Sequence, residues 1–537
     1  MQRSSLESRG DGADNPWNDT TVAQMLDRVS FDRPDATAVV DGDRSVTFAE
    51  LQAARDRLGT ALLSSGVADG THVAVRMSKG LDYTVLLHAL WAIGAVAIPL
   101  NAMWTGREVE RALVDTDAEV LIIDTSSDAT DWRSIVSHLE VPTDGAVENG
   151  RLERLTRVID GGGPAGLWAR ATSTASAAPI TTSARQESLF LFTSGSSSAP
   201  KAVILRQDGL LGTAYYFAQS LQVGSADKFL SLGPYFHAGG IVQMLLANQA
   251  GAVQYVFPRV DIPTIAAVAV RDGCTVVTGF DPVLVKLFDA IEALGSGLPF
   301  HSVAAAAPSV ELVDMLRTRG INTITMYALS EGGNMVSLSS PDDDTLTHGR
   351  PLPGISVRLC DADGRPVPTG QQGEICFRGW NLFRGYYNVS DDRGDVTTDA
   401  DDYFHTGDIG QIDELGRLIY QGRFSSMIKT AGENVSATEV ETFLVREVPE
   451  IATAAVVGVP SAAWGEEVVA FVELVPGAPQ FDESWLKNVC RGKLAGYKIP
   501  KRFVQVPAEG WPVADTGKLS RVTLVEKFLA ETPAERP

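Results

Sequence analysis

The sequence predicts an α/β fold: a large N-terminal domain of parallel-type αβ sheets with a small β-barrel, then a small α+β domain at the C-terminus. Three observations predict it. The first third alternates helical and strand periods, which implies a mostly parallel sheet covered on both faces. From His348 to Arg423 the texture changes to short strands with Gly/Asp turns, the pattern of a small antiparallel barrel or sheet. After Arg423 strands and helices mix again, over a stretch long enough for a separate domain.

Residues 1–20 are polar, lack the apolar run of a signal peptide, and read as a flexible arm. Thr47-Phe48-Ala49-Glu50 is a capping box, with Leu51, Leu58 and Leu62 on one helical face and Gly66 as the stop. Val73 to Val75 reads as a strand, and a helix through Leu86 and Leu90 leads into a strand at Ala95 to Ile98. A second capping box, Thr105 to Glu108, opens another helix, and Val120 to Ile123 is a strand. The apolar stretch from Tyr83 to Ala102 is long enough to raise a membrane span. Gly94 and Pro99 interrupt it, so a buried helix and core strand are expected. Pro142 to Gln186, rich in Gly, Ala, Ser and Thr, reads as a surface excursion. Its Gly161 to Gly166 segment is a literal GxGxxG with Glu187 downstream. Pro164 and the small residues after it make a poor helix start, so a flexible loop is the reading. Later strands are expected at Ser188–Phe192, Val357–Leu359, Glu374–Arg378, Leu418–Tyr420, Ala454–Val457 and Val468–Leu474. Helices are expected at Thr438–Val445 and Asp482–Leu494.

The chain has 537 residues and a formal charge of -22, from 45 Lys+Arg against 67 Asp+Glu. That balance argues against a nucleic-acid binder and a polybasic membrane anchor. Four cysteines, Cys274, Cys360, Cys376 and Cys490, show no CxxC pairing, so neither a zinc site nor a disulfide framework is expected. A reduced, cytoplasmic setting follows as an expectation.

Thr193-Ser194-Gly195-Ser196-Ser197-Ser198-Ala199-Pro200-Lys201 places closely spaced N–H and O–H donors and a Lys after a strand, which suits a polyphosphate. It is not a Walker A loop, because GK[ST] is absent. Ser198 to Lys201 also matches SxxK, but Pro200 sits in the required helical turn. Tyr327-Ala328-Leu329-Ser330-Glu331, Tyr403-Phe404-His405-Thr406-Gly407-Asp408, Gly422-Arg423, Lys429 to Val435 and Thr516-Gly517-Lys518 follow in order. Together these motifs resemble the ANL superfamily of adenylate-forming enzymes, from about Val22 to Arg521. Gly432-Glu433-Asn434-Val435 with Glu439 and Glu441, Tyr497 to Lys501, and Pro234 to His237 resemble its acyl-CoA synthetase (AMP-forming) branch.

The resemblance implies an ATP-dependent acid–AMP ligase with Mg²⁺ and with CoA as co-substrate. Residues Thr193 to Ser198 and Lys201, with Ala306, Ala307 and Pro308, would bind ATP. Tyr327 and Ala328 would meet adenine, Ser330 the α-phosphate, and Glu331 the metal. Asp408 would accept both ribose hydroxyls, Tyr420 would flank the nucleoside, and Arg423 would contact ribose or phosphate. Lys518 matches the catalytic lysine; with Glu331, Lys201 and Arg423 it forms the implied catalytic set. His237, Gly239, Gln243, Ala306, Gly332, Gly333 and Asn334 would line the acid pocket, and Gly432, Glu433 and Asn434 a second-substrate tunnel. The implied domains are a large adenylation domain, 21–423, and a small mobile one, 424–537, hinged at Ser425. Family members commonly have Asp or Lys at that hinge.

Ala305-Ala306-Ala307-Pro308 and Tyr327-Ala328 replace glycines of the family, which narrows the pocket. With the polar Gln243 and Asn334, a short, polar or planar acid is the expectation. A basic run, Lys487, Arg491, Lys493, Lys498, Lys501 and Arg502, carries no acid within it and would suit CoA phosphates or an acidic carrier protein. The acceptor stays open between CoA, a carrier protein, an amine, and an amine attacking activated nitrite. A non-catalytic homologue is the reading from another class. A monomer or homodimer is expected, with no nucleic acid or membrane partner.

Overall fold

The structure is a computed structural model. It describes residues 15–531 except 127–130, 163–165, 173–181, 194–200, 307, 342, 344–346, 362, 389–397, 424–426, 431–432, 462–464, 479–481, 492–493, 495 and 513–518. Two sheets form the large part. A seven-stranded sheet runs Gly145–Ala146, Arg157–Asp160, Val120–Ile123, His72–Arg76, Val96–Pro99, Glu187–Phe192, Ala202–Arg206. A nine-stranded sheet runs from Arg350–Pro351 through Asn334–Leu338, Asn322–Leu329, Ser302–Ala306, Val276–Phe280, Lys228–Ser231, Val253–Val256 and Thr37–Asp41 to Arg44–Thr47. Its middle strands are parallel and its two ends antiparallel.

Helix Leu81–Ala92 is buried at every position but Asp82. A single apolar cluster joins Val73 and Leu189 of one sheet to Val39, Phe229 and Ile324 of the other. The Tyr83 to Ala102 stretch is therefore core, and no described helix is long and apolar enough to cross a membrane. Both expected capping boxes form, at Thr47 with Glu50 and at Thr105 with Glu108. Leu51, Leu58 and Leu62 are fully buried.

Three readings are corrected. Within the supposed arm, Asn15 and Trp17 are buried, and Asn15 Nδ2 donates to Asp208 O at 3.0 Å. The supposed surface excursion contributes Arg157–Asp160 to the sheet, with Val158 and Ile159 buried; these two are its one adjacent Val/Ile pair. The helix expected to Leu494 stops at Cys490, where Arg491 turns extended and Gly492 follows. As expected, Gly161-Gly162 does not make an anion loop: Asp160 accepts the Gly162 N–H at 3.0 Å, placing a carboxylate where a phosphate would sit.

The antiparallel unit expected as a barrel has four strands in the order Ile355–Cys360, Gln372–Gly379, Phe404–Ile412, Leu418–Arg423. The C-terminal sheet is built on the long antiparallel pair Ile451–Ser461 and Gly465–Leu474, with Met427–Thr430, Glu433–Ser436 and Arg502–Gln505 beside it. Its apolar clusters begin at Ile428 and share no residue with those ending at Leu418. Ser436 Oγ donates to Gln421 O at 2.5 Å across the junction.

Leu86→Ala removes a fully buried side chain from the seam between the sheets, which costs about 2–5 kcal/mol. Thr47→Ala removes one helix cap, which costs about 1 kcal/mol. Urea unfolding followed by circular dichroism measures both, and the order Leu86→Ala above Thr47→Ala is expected.

Candidate active site

Strand pairing places Asp408 opposite Arg423, whose Nε donates to Asp408 Oδ1 at 2.9 Å. From the end of the nine-stranded sheet, Tyr327 donates its hydroxyl to Asp408 Oδ2 at 2.7 Å. The Asp408 N–H donates to Thr406 Oγ1 at 3.0 Å, which fixes the turn of the backbone. Tyr420 stacks on Tyr327, ring centroids 5.8 Å apart at 27°. Burial, then the charge of Asp408, holds the Tyr327 hydroxyl well above the usual range, so it stays a proton donor. Burial and the same carboxylate push Tyr420 up to about 12. For Arg423 burial opposes the charge, but Asp408 outweighs it and its pKa rises. Each Asp408 oxygen keeps a further lone pair, so the carboxylate can still accept two hydroxyl groups.

Glu331 sits in the tight turn Ser330–Gly332 and is buried. Tyr386 donates its hydroxyl to Glu331 Oε1 at 2.7 Å, and Phe383 N–H donates to the Glu331 carbonyl at 2.8 Å. Among the described residues no hydrogen-bond partner engages Oε2. A Cβ on Gly332 would come 2.8 Å from Val336 Cγ2, so the turn excludes a larger residue there. Lys201 Nζ lies 4.9 Å from the Tyr386 ring centre. Arg423 is within electrostatic reach of both Asp408 and Glu331, so the two clusters form one site.

Of the residues expected to line the acid pocket, Gly239 and Asn334 meet. A Cβ on Gly239 would sit 3.6 Å from Asn334 Oδ1, and Asn334 takes φ +94° beside Gly333 at +57°. Gln243 Oε1 accepts the Gly233 N–H at 2.9 Å and the Ser231 hydroxyl at 3.3 Å. Behind it stands Lys79, whose Nζ donates to Ser231 O at 2.5 Å, Ser231 Oγ at 3.0 Å and Gly233 O at 2.7 Å. Burial with no carboxylate among these partners pulls Lys79 down to about 7. His237 caps helix Ala238–Ala250 and Ala306 ends its strand.

Ser194 to Ser198, Ala307, Ser425, Gly432 and Lys518 lie outside the described residues. Thr193 N–H donates to Lys201 O at 3.0 Å, so the two ends of the serine-rich segment meet. Pro308 follows the strand that ends at Ala306, and Ala328 precedes the turn of Ser330. Glu433 and Asn434 are strand residues paired with Thr430 and Lys429. Two members of the basic run meet acids that the linear run does not include: Lys487 pairs with Glu483 at 2.9 Å and Lys498 with Glu439 at 2.6 Å. Lys79, His348 and Tyr386 belong to no motif read from the sequence. His348 Nδ1 accepts the Tyr420 N–H at 3.1 Å, and burial lowers its pKa to about 4, keeping it a neutral acceptor.

Residues 26–387 match the model of the AMP-binding enzyme family, and residues 439–518 match the AMP-binding enzyme C-terminal domain. The chain belongs to the AMP-binding enzyme family. It is an AMP-forming ligase of the ANL superfamily's acyl-CoA synthetase branch. It is 28% identical to the putative acyl-CoA synthetase YngI of Bacillus subtilis, over 95% of this chain and 97% of that one. It is 28% identical to a 2-succinylbenzoate–CoA ligase of Bacillus cereus, over 90% and 94% of the two chains. The ATP-bound crystal structure of MatB from Rhodopseudomonas palustris superposes with TM-score 0.81 at 26% identity, over 94% of this chain and 99% of that one.

Lys79 gives a signature in stability against pH. Its pKa falls on folding from 10.5 to about 7, so the unfolded chain binds the extra proton between those values. Stability linked to this group therefore rises with pH through that window. Lys79→Met removes the dependence. In thermal melts, the wild-type midpoint minus the variant midpoint increases as pH rises from about 7 towards 10.5.

Proposed function

We propose that this ligase activates a short, polar or planar carboxylic acid with ATP and Mg²⁺, and passes the acyl group to the thiol of CoA. The observation that carries the adenylation reading is the Asp408 carboxylate, fixed between Tyr327 and Arg423 with lone pairs free for a ribose. In this reading Tyr327 and Tyr420 flank the adenine, and Lys201, Ser330 and the segment Thr193 to Ser198 surround the phosphates. The buried Glu331 with its Oε2 unengaged fits a divalent cation, which would neutralise phosphate charge. The acid's carboxylate oxygen attacks the α-phosphorus and pyrophosphate leaves. Lys518 would stabilise the charge that develops there. The CoA thiolate then attacks the acyl carbon and AMP leaves. The boundary near Ser425 would let the small domain exchange Lys518 for the loop at Gly432.

The acid class rests on the Gln243 wall. With Oε1 taken by Gly233 and Ser231, its NH₂ is available to an acceptor on the acid. Lys79 stands behind it as an amine whose hydrogen-bond acceptors, among the described residues, are the neutral oxygens of Ser231 and Gly233. An apolar chain would leave that amide unsatisfied.

A panel of short, aryl and long-chain acids, with nitrite as a further member, is scored for AMP and for thioester mass with and without CoA. Short polar or aryl acids give the thioester; efficient turnover of long-chain acids, or AMP release that needs an amine rather than CoA, contradicts the proposal. Asp408→Ala raises the KM for ATP by about 10–100-fold, the loss of charge-assisted hydrogen bonds. Gln243→Leu shifts the kcat/KM ratio towards apolar acids by about tenfold or more. Lys518→Ala abolishes adenylation yet spares thioester formation from a supplied acyl-adenylate.

A further inference from the structure

The face of the four-stranded sheet next to Asp408 gathers a different chemistry. Glu374 and Cys376 are two residues apart on Gln372–Gly379 and so point to one face. His405, on the next strand, is the register partner of Cys376. Cys376 Sγ lies 3.4 Å from His405 Nδ1, and Glu374 Oε2 lies 2.8 Å from the same nitrogen. One ligand atom from each residue falls within 4.8 Å of the others. Cys376 is fully buried while Glu374 and His405 are partly exposed, so the group has an entry side.

We infer that Glu374, Cys376 and His405 form a binding site for a borderline-soft divalent cation of the Zn²⁺ class. Thiolate, imidazole and carboxylate are the donor set that selects such an ion over Mg²⁺ or Ca²⁺. Zn–S of about 2.3 Å and Zn–N of about 2.0 Å put S and N about 3.5 Å apart at a tetrahedral centre, against the 3.4 Å found. The carboxylate must withdraw by about half an ångström to match, a shift its exposed side allows. His405 Nε2 is 3.2 Å from Asp399 Oδ2. A carboxylate at the far nitrogen holds the tautomer that presents Nδ1 to a metal, as in carboxylate–histidine–metal arrangements. Arg358 pairs with Asp399 and Asp401 and lies over Tyr403 at 4.0 Å, balancing those acids. Cys376 gives up its thiol proton as the ion binds. A water or buffer ligand completes the coordination.

The site adjoins the nucleotide cluster. The other oxygen of Glu374 accepts the Gly407 N–H at 2.8 Å, one residue before Asp408. Occupancy would therefore brace the strand that aims Asp408.

The full-length protein, stripped with chelator, is titrated with Co²⁺ as the spectroscopic probe. One equivalent gives a thiolate-to-cobalt charge-transfer band that Zn²⁺ then bleaches. Cys376→Ser abolishes the band and Cys274→Ser, a buried cysteine far in sequence from the site, retains it. Asp399→Asn weakens Zn²⁺ binding by about 10–100-fold in competition with a chromophoric chelator. Absence of the band in the wild type, its survival in Cys376→Ser, or unchanged Zn²⁺ affinity in Asp399→Asn overturns the site. None of these readouts requires turnover, so they stand apart from the identity of the acid.

Discussion

The Asp408 carboxylate is where two sheets of the molecule meet. Tyr327 comes from the nine-stranded sheet, Asp408 from the antiparallel unit, and Arg423 from the last strand before the C-terminal part. A buried carboxylate is stable only when its oxygens are engaged. Tyr327 and Arg423 meet that requirement before any ligand arrives, one to each oxygen. In the proposed reading, the nucleotide would meet a carboxylate already oriented and use its remaining lone pairs. Removing either partner would leave a buried charge less satisfied, so the site and the interface between sheets stand or fall together.

The charge of -22 takes on a spatial meaning here. The cations proposed to handle phosphate are held at specific places: Arg423 beside Asp408, and Lys201 over the Tyr386 ring. Much of the remaining basic surface is paired with acids, as Lys487 and Lys498 are. In the proposed reading, attraction of an anionic substrate would depend on a few oriented groups rather than on net charge. A basic run in one dimension does not reveal this, because Glu483 and Glu439 reach it only through the fold.

Local signals were legible. Capping boxes at Thr47 and Thr105, the strand at Val73 and the helix through Leu86 depend on neighbours a few residues away, and all appear in the structure. The nucleotide residues Tyr327, Glu331, Asp408 and Arg423 were readable as motifs, and the fold brings them into one cluster. Tyr386 was not, because its role is to meet Glu331 across 55 positions of chain. Cysteine spacing is silent in the same way. Cys376 and His405 are 29 residues apart and lack any CxxC signature, yet strand register sets them side by side. Spacing rules detect ligands carried on one turn or loop; they are blind to ligands assembled across a sheet.

Lys79 shows how one residue without a motif can set the chemistry of a pocket. It follows a strand of the seven-stranded sheet and donates to the end of a strand of the nine-stranded one. An ammonium has three N–H groups, and Ser231 and Gly233 supply three acceptors. The hydrogen bonds are thus complete, but the charge is not cancelled, since those acceptors are neutral. The cost shows in the lowered pKa. A methionine would fill the volume without that cost, so packing alone gives no reason for a lysine here. A substrate with an acceptor or negative group near Gln243 does give one, because it supplies the missing counter-charge at the moment of binding. In the proposed reading, an acid bearing such a group would supply a counter-charge that the neutral acceptors and the Tyr235 ring, 5.2 Å from Lys79 Nζ, do not, which would tie the stability of the unliganded enzyme to the identity of its acid.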